Sequence, residues 1–119
     1  MKKIIIAGAT LLAAGCFLIT GCGGDAPKQT KNEIHVVTHA NWNPFEYMEN
    51  GKIVGFDVDL AREAAKRAGL TMDLTDAGWE ALFEQIRSHQ ADMAISGVTI
   101  TKDREASYLF SAPYFISRQ

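Results

Sequence analysis

The sequence predicts an α/β fold in which helices flank a parallel sheet. Two observations support this prediction: β-branched or apolar strand segments alternate with longer segments, and the longer segments place apolar residues at helical spacing. The predicted strands are Ile34–Thr38, Thr71–Leu74 and Met93–Ile95. A helix is expected before the second and the third of them, so successive strands are expected to pair in parallel.

A hairpin is predicted between the first strand and the first helix. Asn41–Pro44 is expected to be a loop because Asn and Pro interrupt regular structure. Phe45–Met48 and Ile53–Val54 are the expected arms. The dipeptide Asn50-Gly51 between them favours a tight hairpin turn.

The two helices are predicted from capping residues and apolar spacing. Asp57 is expected to cap a helix that runs to about Ala68, with Gly69 just beyond its C-terminus. The second helix has an apolar stripe at positions i, i+3, i+4 and i+7, made of Trp79, Leu82, Phe83 and Ile86.

The segment after the third strand is predicted to be less regular. Thr101 is expected to cap a single helical turn over Lys102–Ala106, and Tyr108–Phe110 is expected to form a further strand. The sequence stops soon after the apolar-rich Pro113–Ile116, and we expect it to be part of a longer chain.

Residues 1–21 have the layout of a signal peptide, because two lysines precede an uncharged apolar run. The run ends in Ile19-Thr20-Gly21-Cys22, which resembles the bacterial lipobox, where a peptidase cuts before the cysteine and a lipid is attached to its thiol. Cys22 is the predicted lipidation site, and Cys16 is the alternative. A permanent membrane span is the other interpretation of the apolar run.

Residues 22–32 are predicted to be a flexible tether, and 33–119 the folded part. Removal of Lys2 and Lys3 with the signal leaves ten of the twelve basic residues against 14 acidic residues, a net charge of −4. This mildly acidic chain has no basic cluster, so nucleic acid is not an expected partner. With no cysteine after Cys22, neither a disulfide nor a cysteine metal site is expected.

The sequence contains no pattern typical of catalysis or metal binding. It has no Ser-His-Asp order and no phosphate-binding glycine loop. His35 and His39 share a strand face without a third ligand nearby, and His89 is isolated. We therefore expect no enzyme activity, no cofactor and no metal.

The stretch 96–104 is the strongest candidate for a binding site. It follows the third strand, Gly97 permits close approach of a ligand, and the next turn offers free backbone N–H groups. Arg104 lies in that first turn, where a cation opposes the helix dipole. Either it binds an anion such as a carboxylate through two hydrogen bonds, or it is a surface residue paired with Asp103 or Glu105.

The two tryptophans and one histidine are expected at the same edge of the sheet. Trp42 follows the first strand and Trp79 the second, and both are candidate aromatic walls of a pocket. Core packing is the alternative for Trp79, because it belongs to the apolar stripe. His39 ends the first strand and is expected to reach the pocket.

Four segments together resemble a known family: NPFEY at 43–47, GKIVGFDVDL at 51–60, SGVTIT at 96–101 with Arg104, and FSAPY at 110–114. They resemble the family 3 solute-binding proteins of ABC transporters, which bind polar amino acids. The resemblance implies a periplasmic-binding-protein-like type II fold, whose two α/β lobes close on the ligand. Residues 33–119 would be part of the first lobe, with the second lobe missing.

The resemblance also implies roles for individual residues. Arg104 would hold the α-carboxylate of the amino acid, and hydrogen bonds would come from Gly97, Thr99 and Ser96. The rings of Trp42 and Trp79 would stack on the ligand side chain, with His39 at its far end. At Ala112 the family usually has Asp, in a position that we do not assign to the ligand.

The implied partners are a free amino acid, the ABC transporter permease subunits and, through a lipid anchor, the outer face of a membrane. Two alternatives stay open: a periplasmic enzyme on the same fold, similar to cyclohexadienyl dehydratase, and a sensory or regulatory module. Because the second lobe is missing, we expect residues 33–119 alone to bind no amino acid at micromolar concentration.

Overall fold

The structure is a computed structural model that describes residues 32–116. In chain order its elements are β1 (Glu33–Thr38), β2 (Asn41–Trp42), β3 (Glu46–Glu49), β4 (Lys52–Val54), α1 (Phe56–Arg67), β5 (Thr71–Asp76), α2 (Trp79–Arg87), β6 (Met93–Ala94) and α3 (Lys102–Glu105). Strand β1 pairs in parallel with β5 on one side and with β6 on the other. The predicted α/β architecture with a parallel sheet is therefore confirmed.

The core consists of two small clusters on opposite faces of β1. Successive strand residues point to opposite faces, and accordingly Val36 packs with Ala61 of α1 while Val37 packs with Leu82 of α2. Both valines are fully buried. The helices thus cover the two faces of the sheet, and its carboxyl edge is left for the loops that follow the strands.

A small antiparallel sheet, in the order β2-β3-β4, joins β1 to α1. The predicted turn is confirmed, since Asn50 and Gly51 both have positive φ, at 50° and 74°. The expectation of a simple loop at 41–44 is wrong in part, because Asn41 and Trp42 pair with Tyr47 and Glu46. This pairing fixes Trp42 beside the carboxyl edge of the main sheet.

The helix caps agree with the prediction at one end of α1 only. Gly69, with φ of 72°, follows the helix as expected. Asp57 is not the N-cap: Gly55 occupies that position, and Asp57 lies in the first turn with its side chain fully buried. The predicted cap is wrong because the carboxylate of Asp57 accepts hydrogen bonds from residues distant in the sequence instead.

The segment after α3 also differs from the prediction. Tyr108–Phe110 is not a strand, and Leu109 is fully exposed. Thr101 does cap α3 as expected, since its hydroxyl accepts a hydrogen bond from the backbone N–H of Arg104. Within residues 32–116, no helix has the length and apolar character needed to cross a membrane. The predicted signal peptide, the lipid site at Cys22 or Cys16 and nearly all of the predicted tether lie outside the described residues.

Candidate functional site

The candidate site lies at the carboxyl edge of the parallel sheet, where loops leave β1, β5 and β6. Hydrogen bonds join these loops. The backbone N–H of His39 donates to Ser96 Oγ at 3.3 Å, and the N–H of Ala77 donates to the Thr38 carbonyl at 2.9 Å. The Thr38 hydroxyl in turn donates to the Ile95 carbonyl at 2.6 Å. The edge therefore holds Ser96 and the backbone that follows it in a defined position.

Gly97 forms a sharp corner directly after Ser96. Its φ of 54° lies in the left-handed region that favours glycine. A Cβ at this position would meet the ring of Trp42 at 3.5 Å, so the tryptophan lies over the corner. The ring of Trp42 is nevertheless 53% exposed. Trp42 and Gly97 thus form an open aromatic ledge above the end of β6.

Arg104 lies on α3, which follows the corner in the chain. Its Nη1 donates to the Thr99 carbonyl at 2.9 Å. Its guanidinium carbon lies 5.6 Å from the ring centroid of Trp79 and 5.4 Å from that of Phe83, which is cation–π distance. Two rings and one carbonyl thus fix a planar, positively charged group.

The guanidinium of Arg104 has no acidic partner among residues 32–116. The alternative in which it pairs with Asp103 or Glu105 is therefore not realised. The remaining N–H groups stay available for an anion, and a guanidinium matches the two oxygens of a carboxylate. This arrangement can bind a carboxylate at the carboxyl edge.

Trp79 packs within the apolar stripe of α2 and also contacts Arg104. It begins α2 and packs edge-on against Phe83, with 5.1 Å between ring centroids, while its face lies under Arg104. His39 is also at the edge, but its Nδ1 lies 2.9 Å from the Ala77 carbonyl oxygen. At this distance Nδ1–H donates a hydrogen bond to that oxygen. That bond fixes the ring of His39 against the end of β5.

The structure brings together three residues that sequence reasoning did not place in the site: Glu46, Asp57 and Tyr114. Ser96 Oγ donates to Glu46 Oε1 at 2.7 Å, and the Gly97 N–H donates to Asp57 Oδ2 at 2.8 Å. The Tyr114 hydroxyl donates to the same Asp57 oxygen at 2.8 Å. Glu46 and Asp57 fix the corner through hydrogen bonds, and Tyr114 holds Asp57 in place. No local pattern in the sequence predicts that these residues are buried beside the corner.

Two of these supporting groups have displaced pKa values. Burial raises the pKa of the Glu46 carboxyl from 4.5 to about 7, and the nearby Asp57 adds to the effect, while the bond from Ser96 opposes it. Burial also raises the pKa of the Tyr114 hydroxyl, helped by its bond to Asp57. Tyr114 is therefore a neutral donor across the physiological range.

An apolar cavity of about 940 Å³ lies between the two helices and the C-terminal segment. Its lining includes Leu60, Ile86 and Phe110. Trp42 and Gly97 also line it, so the cavity is continuous with the ledge. Arg104 and Trp79 do not line it. Residues 32–116 contain no cluster of side chains suited to a metal ion.

An α/β domain that holds a fixed guanidinium at the carboxyl edge of its sheet is typical of a ligand-binding protein, and comparison with known proteins identifies the family. Residues 34–119 match the bacterial extracellular solute-binding proteins, family 3. The chain belongs to this family, and the resemblance found in its sequence is confirmed.

Two relatives show which kinds of protein the chain resembles in sequence. The chain is 37% identical to the arginine-binding extracellular protein ArtP of Bacillus subtilis, over 97% of this chain and 45% of the relative. It is also 37% identical to a probable histidine-binding protein of Neisseria gonorrhoeae, over 97% of this chain and 44% of the relative. The chain thus spans a little under half the length of these relatives.

Solved structures confirm the type II binding-protein fold. The arginine-, lysine-, histidine-binding protein ArtJ of Geobacillus stearothermophilus matches with a TM-score of 0.68 and 52% identity, over 71% of this chain and 36% of its own. The arginine-bound form of domain 1 from TmArgBP, of T. maritima, matches with a TM-score of 0.68 and 42% identity, over 71% of this chain and 68% of that domain. An ancestral cyclohexadienyl dehydratase matches with a TM-score of 0.66 and 32% identity, over 71% of this chain and 35% of the dehydratase.

Proposed function

We propose that this chain binds a free polar amino acid as the extracytoplasmic substrate-binding component of an amino-acid ABC transporter. The observation that carries the proposal is the guanidinium of Arg104, which is held by Trp79, Phe83 and the Thr99 carbonyl and lacks an acidic partner within residues 32–116. A cation fixed in this way is preorganised for an anion, because little side-chain freedom remains to be lost when the ligand binds.

The anion that suits this edge is the α-carboxylate of the amino acid. Two carboxylate oxygens accept parallel hydrogen bonds from one guanidinium, and the side chain of Thr99 is exposed nearby to add a further bond. Ser96 is fully buried and bonded to Glu46 and His39, so it acts on the ligand through the corner that it holds. The rings of Trp42 and Trp79 then flank the ligand side chain.

The names of the relatives suggest which amino acids to test as ligands. Several relatives are named for arginine or histidine, and both ligands have a planar cationic or heteroaromatic group. Such a group stacks favourably on an exposed aromatic face like that of Trp42. We therefore propose L-arginine and L-histidine as the first ligands to test.

Domain 1 from TmArgBP changes one expectation. We expected residues 33–119 alone to bind no amino acid, on the premise that both lobes are needed. That premise is wrong for TmArgBP, because its first domain has an arginine-bound structure. We now propose that the first lobe makes most of the polar contacts and that the 119-residue chain retains weak affinity for L-arginine.

Calorimetric titration with L-arginine tests the proposal. Arg104→Ala should weaken binding by about 2 kcal/mol, or roughly 30-fold, because the carboxylate loses a charged two-point partner that is only partly buried. Arg104→Lys should lose roughly tenfold, since an ammonium cannot form the two parallel bonds. Arg62→Ala is the matched control, because Arg62 is exposed on α1 and bonded to Asp59. Wild-type affinity in Arg104→Ala would remove this residue from the site.

An enzyme on the same fold is the second candidate, favoured by the similarity to the ancestral cyclohexadienyl dehydratase. A dehydratase releases water and changes the ultraviolet absorbance of a cyclohexadienyl substrate, whereas a binding protein returns its ligand unchanged. Incubation with such a substrate therefore distinguishes the two. Conversion that depends on the protein would favour the enzyme.

A further inference from the structure

Two carboxyl groups, those of Glu46 and Asp57, are buried together behind the ligand-binding corner. Both residues are fully buried, on β3 and in the first turn of α1. Each uses one oxygen to hold the corner: Glu46 Oε1 accepts from the Ser96 hydroxyl, and Asp57 Oδ2 accepts from the N–H of Gly97.

The other oxygen of each group, Glu46 Oε2 and Asp57 Oδ1, is buried and accepts no hydrogen bond within the described chain. Because Ser96 and Gly97 are adjacent in the chain, the two carboxyl groups that hold them lie close together, and Asp57 influences the pKa of Glu46. Two ionised carboxylates cannot hydrogen-bond to each other, since neither has a proton to donate. One proton on the pair would supply the missing donor.

Among residues 32–116, the groups that face the pair supply no cation to balance two negative charges. The groups that face the pair are the hydroxyl of Tyr114 from the C-terminal segment, the hydroxyl of Ser96 and the N–H of Gly97, and none of them is charged at neutral pH. His39, at the end of β1, contacts Ser96 through its backbone N–H while its ring is bonded to Ala77. Asp59, the next acidic residue of α1, is exposed and paired with Arg62. A doubly ionised pair would therefore be strongly disfavoured.

We propose that Glu46 and Asp57 share one proton and that this singly charged pair positions the Ser96–Gly97 corner for the ligand. The statement about the ligand rests on the proposed amino-acid-binding function, whereas the shared proton does not. Glu46 and Asp57 are positioning residues, because they reach the ligand only through the backbone and side chain of the corner.

Loss of the proton as the pH rises through neutrality would leave two adjacent buried negative charges. Their repulsion would separate β3 from the start of α1, and each carboxylate holds one residue of the corner, Ser96 or Gly97. Ser96 and Gly97 would then move apart, and the corner would fit a ligand less well. The raised pKa of Glu46, about 7, agrees with a proton held on its carboxyl and lost near neutrality.

Nuclear magnetic resonance tests the shared proton directly in the 119-residue chain. The carboxyl carbon of Glu46 and the amide of Gly97 are followed between about pH 5 and about pH 9, a range that includes the raised pKa of Glu46 and lies above the ordinary pKa values of carboxylic acids. We expect both resonances to shift together with a midpoint near neutrality. A Glu46 carboxyl carbon already fully ionised at about pH 5 would overturn the proposal.

Glu46→Gln supplies the matched variant. Its amide N–H₂ donates to Asp57 without a titrating proton, and its carbonyl oxygen still accepts from Ser96. The Gly97 amide should then show no midpoint near neutrality, whereas in Glu49→Gln, on the exposed part of the same strand, it should shift as in the wild type. Asp57→Asn is the second variant and should move the midpoint to lower pH, because Asp57 adds to the raised pKa of Glu46. A wild-type midpoint in folded Glu46→Gln would refute the shared proton.

Binding of L-arginine tests the positioning role. Wild-type affinity should fall severalfold as the pH rises through neutrality, and affinity in Glu46→Gln should stay constant. Equal pH profiles for the two proteins would overturn the positioning role. If neither protein binds L-arginine or L-histidine while the resonance midpoint is present, the proposed function is wrong and the shared proton stands.

Discussion

Replacement of Gly55 by alanine provides a direct test of how the fold builds the site. Gly55 has φ of 130°, a conformation that side chains rarely adopt, and it is the N-cap of α1. A Cβ built there would lie 2.2 Å from the Phe45 carbonyl oxygen and 2.6 Å from its carbonyl carbon. These are backbone atoms, so no side-chain rotation relieves the overlap.

Backbone hydrogen bonds prevent the two segments from moving apart cheaply. The N–H of Phe56 donates to the Pro44 carbonyl at 3.0 Å, and the N–H of Asp57 donates to the Phe45 carbonyl at 2.9 Å. Gly55→Ala must break or stretch these bonds in addition to adopting a strained backbone. Backbone strain costs about 1–3 kcal/mol and each bond about 1 kcal/mol, so we expect a loss of at least ~3 kcal/mol in the free energy of unfolding.

Gly51→Ala is the matched control. Gly51 also has positive φ, at 74°, but a Cβ there would meet nothing within 4 Å. It should lose only about 1 kcal/mol, from backbone strain alone. Urea unfolding of both variants, followed by far-ultraviolet circular dichroism, measures the difference. Equal losses in the two variants would show that the close approach at Gly55 does not determine stability, and our reasoning about this contact would be wrong.

Three further measurements test the proton on Glu46, the ring of Trp79 and the lipid on Cys22. The free energy of unfolding should fall by up to ~3 kcal/mol as the pH rises from 4.5 to about 7, because the folded chain holds the Glu46 proton more tightly than the unfolded chain does. Urea unfolding of Glu46→Gln should show no such fall. Trp79→Leu keeps the apolar stripe of α2 but removes a ring under Arg104, so calorimetry should show L-arginine affinity reduced by roughly fivefold, and an unchanged affinity would exclude the stacking. Mass spectrometry of the mature N-terminus should find a lipid on Cys22, and an intact Met1 would refute the predicted cleavage.

The sequence predicted the main sheet well because its signals are local. The β-branched strand β1 and the stripe that begins at Trp79 need no knowledge of distant residues. The turn at Asn50-Gly51 was equally clear, since both residues accept positive φ. The cap at Thr101 and the position of Arg104 in the first turn after it were also predicted from local sequence.

The missed features depend on contacts between residues far apart in the chain. Asp57 has the sequence context of an N-cap, yet its carboxylate bonds to Gly97, 40 positions later, and to Tyr114, 57 positions later. Glu46 similarly meets Ser96 across 50 positions. Burial of these carboxylates follows from how β3 and α1 pack behind the corner, which no window of neighbouring residues encodes.

The hydrogen bonds of Asp57 connect the start of α1 to the corner at Ser96 and Gly97. Gly55 determines where α1 begins, the first turn of α1 places Asp57, and Asp57 accepts a hydrogen bond from the N–H of Gly97 at 2.8 Å. A shift of the helix start is therefore transmitted to this corner through a single carboxylate. Gly55→Ala should consequently weaken L-arginine binding even in the fraction of molecules that stay folded, whereas Gly51→Ala should leave it unchanged. Calorimetry at a temperature where both variants are folded measures this, and equal affinities would show that the corner keeps its geometry when the start of α1 is perturbed.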